Sequence, residues 1–275
     1  MVESFNSLVT TCFSLALAPL AGFGAVWGLL AVSIVAGVIL VVIYGYISNQ
    51  SALKRVKKQI TAGVYESVLF RHDLRTSLRA QLGMLIGGFR YFALAVPPLI
   101  VLLIPSLVIL AQLNLRYGAR ALQPGERAIV TVDIAHEDAL FTTELLSPTG
   151  GVTVTPPLRD LEAQSVSWRI DASTSDTPPP SLTLAVNGVH ADQDIVIGAQ
   201  PIILPTARYS SPWRQLLYPG ASIPESLRSE VRGISVTYPE QEIAVAGIKV
   251  HWLLFFALVS IASGLVVSKV IGIEV

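Results

Sequence analysis

The chain has 275 residues, 52% hydrophobic and only 14% charged, with 19 basic and 19 acidic residues cancelling to zero net charge. A soluble domain carries about a quarter charged residues, so the deficit excludes an ordinary soluble protein and points to an integral membrane protein. A single cysteine, Cys12, excludes an intramolecular disulfide framework and a cysteine-rich zinc site.

In chain order, residues 1–21 ("SFNSLVTTCFSLALAPLAG" at their heart) interleave Ser and Thr with apolar residues and close at Pro19. Glu3 stands where a signal peptide would carry Lys or Arg, so the segment is expected to be an external interfacial helix. Cys12 is expected to face lipid from it. Residues 22–47 are uncharged and end near Tyr44 and Tyr46, which predicts the first membrane helix.

Residues 48–90 predict a basic helical hairpin. Leu53, Val56, Ile60 and Val64 fall on one face of a first arm, surrounded by Lys54, Arg55, Lys57 and Lys58. "VLFRHD" supplies the turn, with Asp73 as the cap of a second arm carrying Leu74, Leu78, Leu82 and Leu85. These leucines are expected to face the first arm. Arg71, Arg75, Arg79 and Arg90 add to the basic surface, whose expected contact is anionic lipid rather than a specific nucleic acid.

Residues 91–113 predict the second membrane helix, with Pro97 and Pro98 in its first two turns and Pro105 near mid-span as a kink. Residues 114–248 read as an external β-sandwich of immunoglobulin-like type, with strands at 128–135, 152–156, 165–171, 182–186, 194–198 and 233–239. Trp168 is expected at its centre. "SPTGG", "TSDTPPP" and "VNGVHADQ" are the separating turns, and Asn187-Gly188 signals a hairpin. The stretch 210–231, with Trp213, Arg214 and Tyr218, breaks the β pattern and is left between a membrane-interface and an under-sheet position. Residues 249–275 supply the third membrane helix, entered through His251 and Trp252, and a short tail.

Loop charge sets the orientation. Residues 48–90 hold eight basic and two acidic residues, a net +6, whereas 114–248 hold nine arginines against fifteen acids, a net −6. The positive-inside rule then places the hairpin and tail in the cytoplasm, and residues 1–21 and the β domain outside, in the periplasm if the membrane is a bacterial inner membrane.

Motifs for chemistry are sparse. "SALK" (51–54) has the S-x-x-K spacing of penicillin-binding proteins without a K-T-G or S-D-N partner. "HED" (136–138) and "HADQD" (190–194) place His near carboxylates, but residue types of that kind suit turns, and no metal or cofactor is expected. "RHD" (71–73) reads as a helix cap. The span cores contain no Asp or Glu, against ion coupling. The chain is expected not to be an enzyme.

Two stretches carry a resemblance. "DLRTSLRAQLGMLIGGFRYFALAVPPLIVLLIPSLVIL" (73–110), with Gln81 and Met84 on its helical arm and prolines in its span, and "ISNQSALKRVKKQI" ahead of it, resemble the YidC-type insertase superfamily. Its three-span members include small archaeal insertases and the third subunit of the ER membrane complex. The resemblance spans the three membrane helices and the hairpin and leaves out residues 115–248. It implies a membrane α-helical core, here with an inserted external β domain, that handles nascent membrane proteins. Ser33, Gln112, Asn114 and Ser260 would be the polar residues of an intramembrane groove. "LNLRYGARALQPGE" (113–126) also resembles segments of uncharacterised bacterial membrane proteins. The alternative expectation is a non-catalytic accessory subunit of a large respiratory or photosynthetic membrane complex, docked through its β domain.

Overall fold

A computed structural model describes residues 2–70, 72–146, 152–173, 181–198, 201–220, 222–245 and 247–274. Arg71 and the turns "SPTGG" and "TSDTPPP" lie outside the described residues. Helix α1 spans Val2–Leu17 and gives way to a 3₁₀ turn, Ala18–Phe23, begun by Pro19 and ended at Gly24 with φ 95°. That positive φ favours glycine and separates α1 from α2, Ala25–Ile47. Helix α3, Gln50–Leu69, is capped by Asn49, whose side chain accepts from the Ala52 N–H at 3.1 Å. Helix α4 runs from Leu74 to Tyr117.

The second arm runs on without a break into the second membrane helix. The two are one 44-residue helix, and all three prolines lie in its interior. An interior proline costs a water-exposed helix about 3 kcal/mol. In hydrocarbon, where unpaired backbone is worse still, helix remains the preferred state around it.

The chain divides into two compact units, residues 1–26 with 110–252, and 27–109 with 253–275. The first holds the β structure. Strand β1 (Arg127–Ile134) is followed by α5 (Glu137–Thr142), β2 (Glu144–Leu146), β3 (Val152–Val154), β4 (Leu158–Asp160), β5 (Ser165–Ala172), β6 (Ser181–Val186) and β7 (Val189–Asp194). Then come β8 (Ala207–Tyr209), α6 (Pro212–Leu217), β9 (Val231–Val236), β10 (Glu242–Val245) and β11 (Ile248–His251). One sheet has the order β3-β5-β1-β9-β8, with β4 also pairing β5; a second is β2-β6-β7; and β10-β11 form a ribbon. The named strand pairs are all antiparallel.

Strict alternation drives the core. Ala128, Val130, Val132 and Ile134 of β1, and Val166, Trp168, Ile170 and Ala172 of β5, all point inward and are buried. They share one cluster with Leu182, Leu184 and Val186 of β6, so both sheets bury their apolar faces together. Trp168 sits at the centre as expected, opposite Val130.

The Asn187-Gly188 turn forms, but its returning strand differs from the expected one. Asn187 (φ 49°) and Gly188 (φ 80°) form a two-residue loop with Val186 paired directly to Val189. The partner strand is therefore β7, 189–194, in place of 194–198, because so short a loop forces immediate pairing. "HADQD", expected as a loop, is most of that strand; Ile197 makes only an isolated bridge to Leu122. Similarly, His251 belongs to β11, opposite Glu242, rather than to the third membrane helix.

In the second unit, α7 (Trp252–Ile271) packs on α2 through small residues. Gly37 of α2 lies so close to the Ser260 carbonyl and the Ser263 hydroxyl that a methyl group there would collide with both, and Gly264 likewise abuts Val41. Such approach lets two helices gain dispersion contacts in a medium that gives no hydrophobic drive between them. Among the described residues α2, α4 and α7 are three helices long and apolar enough to cross a membrane, so the chain is a membrane protein with an α-helical and a β part.

Candidate functional site: an apolar edge on a basic helical hairpin

The hairpin arms run antiparallel, and small residues set their seam. Gly63 lies against Met84 and Gly87 against Ile60, at distances that leave no room for a side chain. Leu53, Val56, Ala80 and Gly87 are buried, while Ile60, Met84 and Tyr91 are partly so. The inward positions on α4 are thus 80, 84, 87, 91, 94 and 98, a heptad-like 3–4 spacing. Deeper in, Leu53 clusters with Tyr44 and Leu102, flanked by Tyr91, Leu94 and Ile273.

That seam overturns the expected one. Leu74, Leu78, Leu82 and Leu85 do not face α3; they are 77%, 63%, 58% and 62% exposed. Val64, expected on the inner face of α3, is also exposed, with Gly63 in its place. The physical reason is distance. Glycine and alanine allow the two backbones to approach closely, and bulky leucines are turned outward by that approach.

The outward edge is continuous along α4. Beyond Leu85 it passes Phe89 (75% exposed) and Phe92 (67% exposed), and Gln81, Met84, Leu85, Gly88, Phe89 and Phe92 line a shallow groove of about 780 Å³. Gln81 and Met84, the two arm residues quoted for the family resemblance, lie in it. Arg75, Arg79 and Arg90 are exposed along the same helix, as are Lys54, Arg55, Lys57 and Lys58 on α3. The arrangement is an apolar strip flanked by cations. Asp73 caps α4 as expected, accepting from the N–H groups of Arg75 and Thr76 and from the Thr76 hydroxyl. The hydroxyl and these N–H groups hold its carboxyl below the usual range.

The four expected groove residues divide between the two units. Ser33 is fully buried and donates to the Leu29 carbonyl at 2.6 Å, and Ser260 donates to the Ala257 carbonyl at 3.2 Å. Both hydroxyls are therefore satisfied by their own helices, and Ser33 faces no opening. Asn114 is half-buried, with its carbonyl accepting from Gly118. Gln112 is 1% exposed and donates to the Thr10 hydroxyl at 2.9 Å.

Gln112 leads to a residue that sequence reasoning passed over. Arg116, one turn on, is buried at 6% exposure. Its guanidinium donates to the Gln112 carbonyl (3.0 Å) and side-chain oxygen (2.8 Å), to the Thr10 carbonyl (3.0 Å) and to the Ser14 hydroxyl (2.9 Å). It also stands 5.7 Å from the Phe13 ring centroid. Among the described residues no carboxylate pairs with it, and its Nε has no partner. The polar stripe of α1 (Asn6, Thr10 and Ser14) faces inward, while Phe5, Leu8, Cys12 and Leu15 are exposed. The Gln112–Arg116 spacing, four residues at the exit of a span, was the available signal.

In the β part, Asp133 of the central strand β1 and Tyr209 of the edge strand β8 gather with Arg214 and Tyr218, with Arg214 5.0 Å from the Tyr209 ring centroid and the two tyrosine rings edge-on at 5.3 Å. Burial raises the Asp133 carboxyl above its ordinary value despite Arg214 and Arg232. His136 precedes α5, and among the described residues no group of three or more His, Cys, Asp or Glu is placed to hold a metal. Comparison with protein-family models, curated proteins and solved structures gives no match to this chain.

Proposed function

We propose that the protein is an insertase-like membrane chaperone that receives apolar segments of other membrane proteins on its helical hairpin. The observation that carries the reading is the exposed edge of Leu74, Leu78, Leu82 and Leu85, set among arginines on a helix continuous with a membrane span. A contiguous apolar strip on a water-facing element marks an interaction surface, and a segment bound for the bilayer complements it. The flanking cations favour anionic lipid at about 1 kcal/mol per basic residue near the surface, which would hold the hairpin where clients enter. In this reading the Lys and Arg of residues 48–90 hold the hairpin in the cytoplasm, the β unit lies outside, and that unit is a sandwich of immunoglobulin-like type.

The test is insertion of a single-span client made by cell-free translation into vesicles containing the full chain. Wild type is expected to raise the inserted fraction, and Leu78→Glu with Leu82→Glu to return it severalfold toward empty vesicles. Equal insertion with both proteins would remove the reading. A second reading, a non-catalytic accessory subunit, is favoured by exposed Leu158 and Leu161 beside β4 and by exposed Trp213, which suit docking to a partner. Copurification of one stoichiometric partner from the native membrane would select it.

A further inference from the structure

Helix α7 ends by turning its last residues back onto α3. Gly272, at φ 77°, adopts the left-handed conformation, and the N–H groups of both Gly272 and Ile273 bond the Ser268 carbonyl at 2.9 Å. Ile273 packs beside Gly45 and Tyr44, which fixes the direction of Glu274. The Glu274 N–H then donates to Gln50 Oε1 at 2.7 Å, and Gln50 Nε2 returns a bond to the Glu274 carbonyl at 3.4 Å. Lys57 donates to the Glu274 carboxylate, and Lys54 to the Gly272 carbonyl at 3.3 Å.

The carboxylate sits in a cavity of about 360 Å³ lined by Lys54, Lys57, Lys58, Thr61, Ala62, Tyr65 and Glu274. Three lysines thus line one cavity with one carboxylate; Lys57 pairs with it, while Lys54 donates to the Gly272 carbonyl. The anion present is smaller in charge than the site that holds it. A phosphate ester brings about −1.5 to −2 charge and three strong acceptor oxygens, enough for several ammonium donors at once. Lysine is a customary point-charge partner for such a group.

We propose that this cavity is a phosphate-binding site, with Glu274 as an intramolecular occupant that an incoming phosphate group displaces. Gln50 keeps the main chain of Glu274 in place during the exchange, so only the side chain leaves. Its lysines are among the cations that flank the leucine edge, but it uses none of the leucines and stands whether or not that edge handles clients. The phosphate can belong to a lipid headgroup or to a soluble ester.

The experiment measures binding to the purified full chain in a neutral detergent, by calorimetry, with inorganic phosphate and with short-chain phosphatidic acid; short-chain phosphatidylcholine serves as control. Glu274→Gln keeps the main-chain bonds to Gln50 and is expected to tighten binding about tenfold. Lys57→Gln is expected to weaken it by a similar factor and Lys57→Arg to preserve it. Gain with the lipid alone assigns a headgroup, and gain with both probes assigns the phosphate group itself. Unchanged affinity in Glu274→Gln, or full binding by a Lys54→Gln, Lys57→Gln, Lys58→Gln variant of wild-type helicity, overturns the proposal.

Discussion

Arg116 is the residue whose environment departs furthest from what its surroundings in sequence suggest. A charge at the end of a span usually reaches water; this one is buried and divides its donors between Gln112 of its own helix and Thr10 and Ser14 of α1. Hydrogen bonds to a charged group are worth about 1.5–3 kcal/mol each when removed from a buried site. Arg116→Ala is therefore expected to loosen α1, seen as faster amide exchange across Val2–Leu17 with β5 unaffected. The same protection in variant and wild type would show that α1 is held by other contacts. Four residues on, Arg120 forks onto Glu126 through bonds of 2.8 and 2.7 Å, and the Gln123 N–H adds a third. The Arg120 fork and this N–H lower the Glu126 carboxyl from 4.5 to about 2. A depressed carboxylate contributes stability that is complete above its unfolded value and lost as pH falls through the folded one. Stability of the β unit should thus fall between pH 4.5 and about 2 more steeply in wild type than in Glu126→Gln, as thermal unfolding across that range would show. Gln112 was legible as a polar exit residue because it interrupts an apolar run. The role of Arg116 was not, because its partners on α1 lie about a hundred residues away in sequence.

At the scale of elements, hydrophobic size misled where hydrophobic period did not. The helical hairpin, its turn and its Asp73 cap were all readable from spacing and from capping chemistry. The inner face of α4 was not, since its seam runs through Ala80 and Gly87, which carry little hydrophobic signal, while the leucines draw attention to the outer edge. The same small-residue logic governs α2 and α7. Gly37→Leu would force a side chain against the Ser260 backbone, which cannot yield as a flexible side chain can, and should cost about 1–3 kcal/mol. Chemical unfolding in detergent checks this, and wild-type stability would mean that the helices separate without penalty. In the β unit, alternation located β1, β5 and β6, and the Asn187-Gly188 signal located the turn that follows β6. It failed for β7, whose sequence "VHADQD" is polar and is held by its register. Because Gly188 has φ 80°, Gly188→Ala should cost about 1–2 kcal/mol of β-unit stability, and Asn187→Gly much less. Equal midpoints for the two variants in thermal unfolding would remove the turn from the account.

For the whole molecule, composition was decisive about the membrane and silent about function. Three apolar helices, a net +6 segment and a net −6 segment follow directly from which residues hydrocarbon tolerates. Each of those helices carries a boundary between the two units, at residues 26/27, 109/110 and 252/253, so both units are built from separated stretches of chain. No local pattern encodes that division, which depends on long-range contacts such as β1 with β9, about a hundred residues apart. In the proposed function the outer edge of α4 receives apolar segments of many proteins. The most direct measurement is site-specific photocrosslinking in cells making membrane proteins, with the crosslinker at Leu78 or Leu82 and a control at exposed Glu162 of the β unit. The account predicts transient crosslinks from Leu78 and Leu82 to many newly made membrane proteins and none of that kind from Glu162. Crosslinks from the edge to a single stable partner, or to no nascent chain at all, would contradict it.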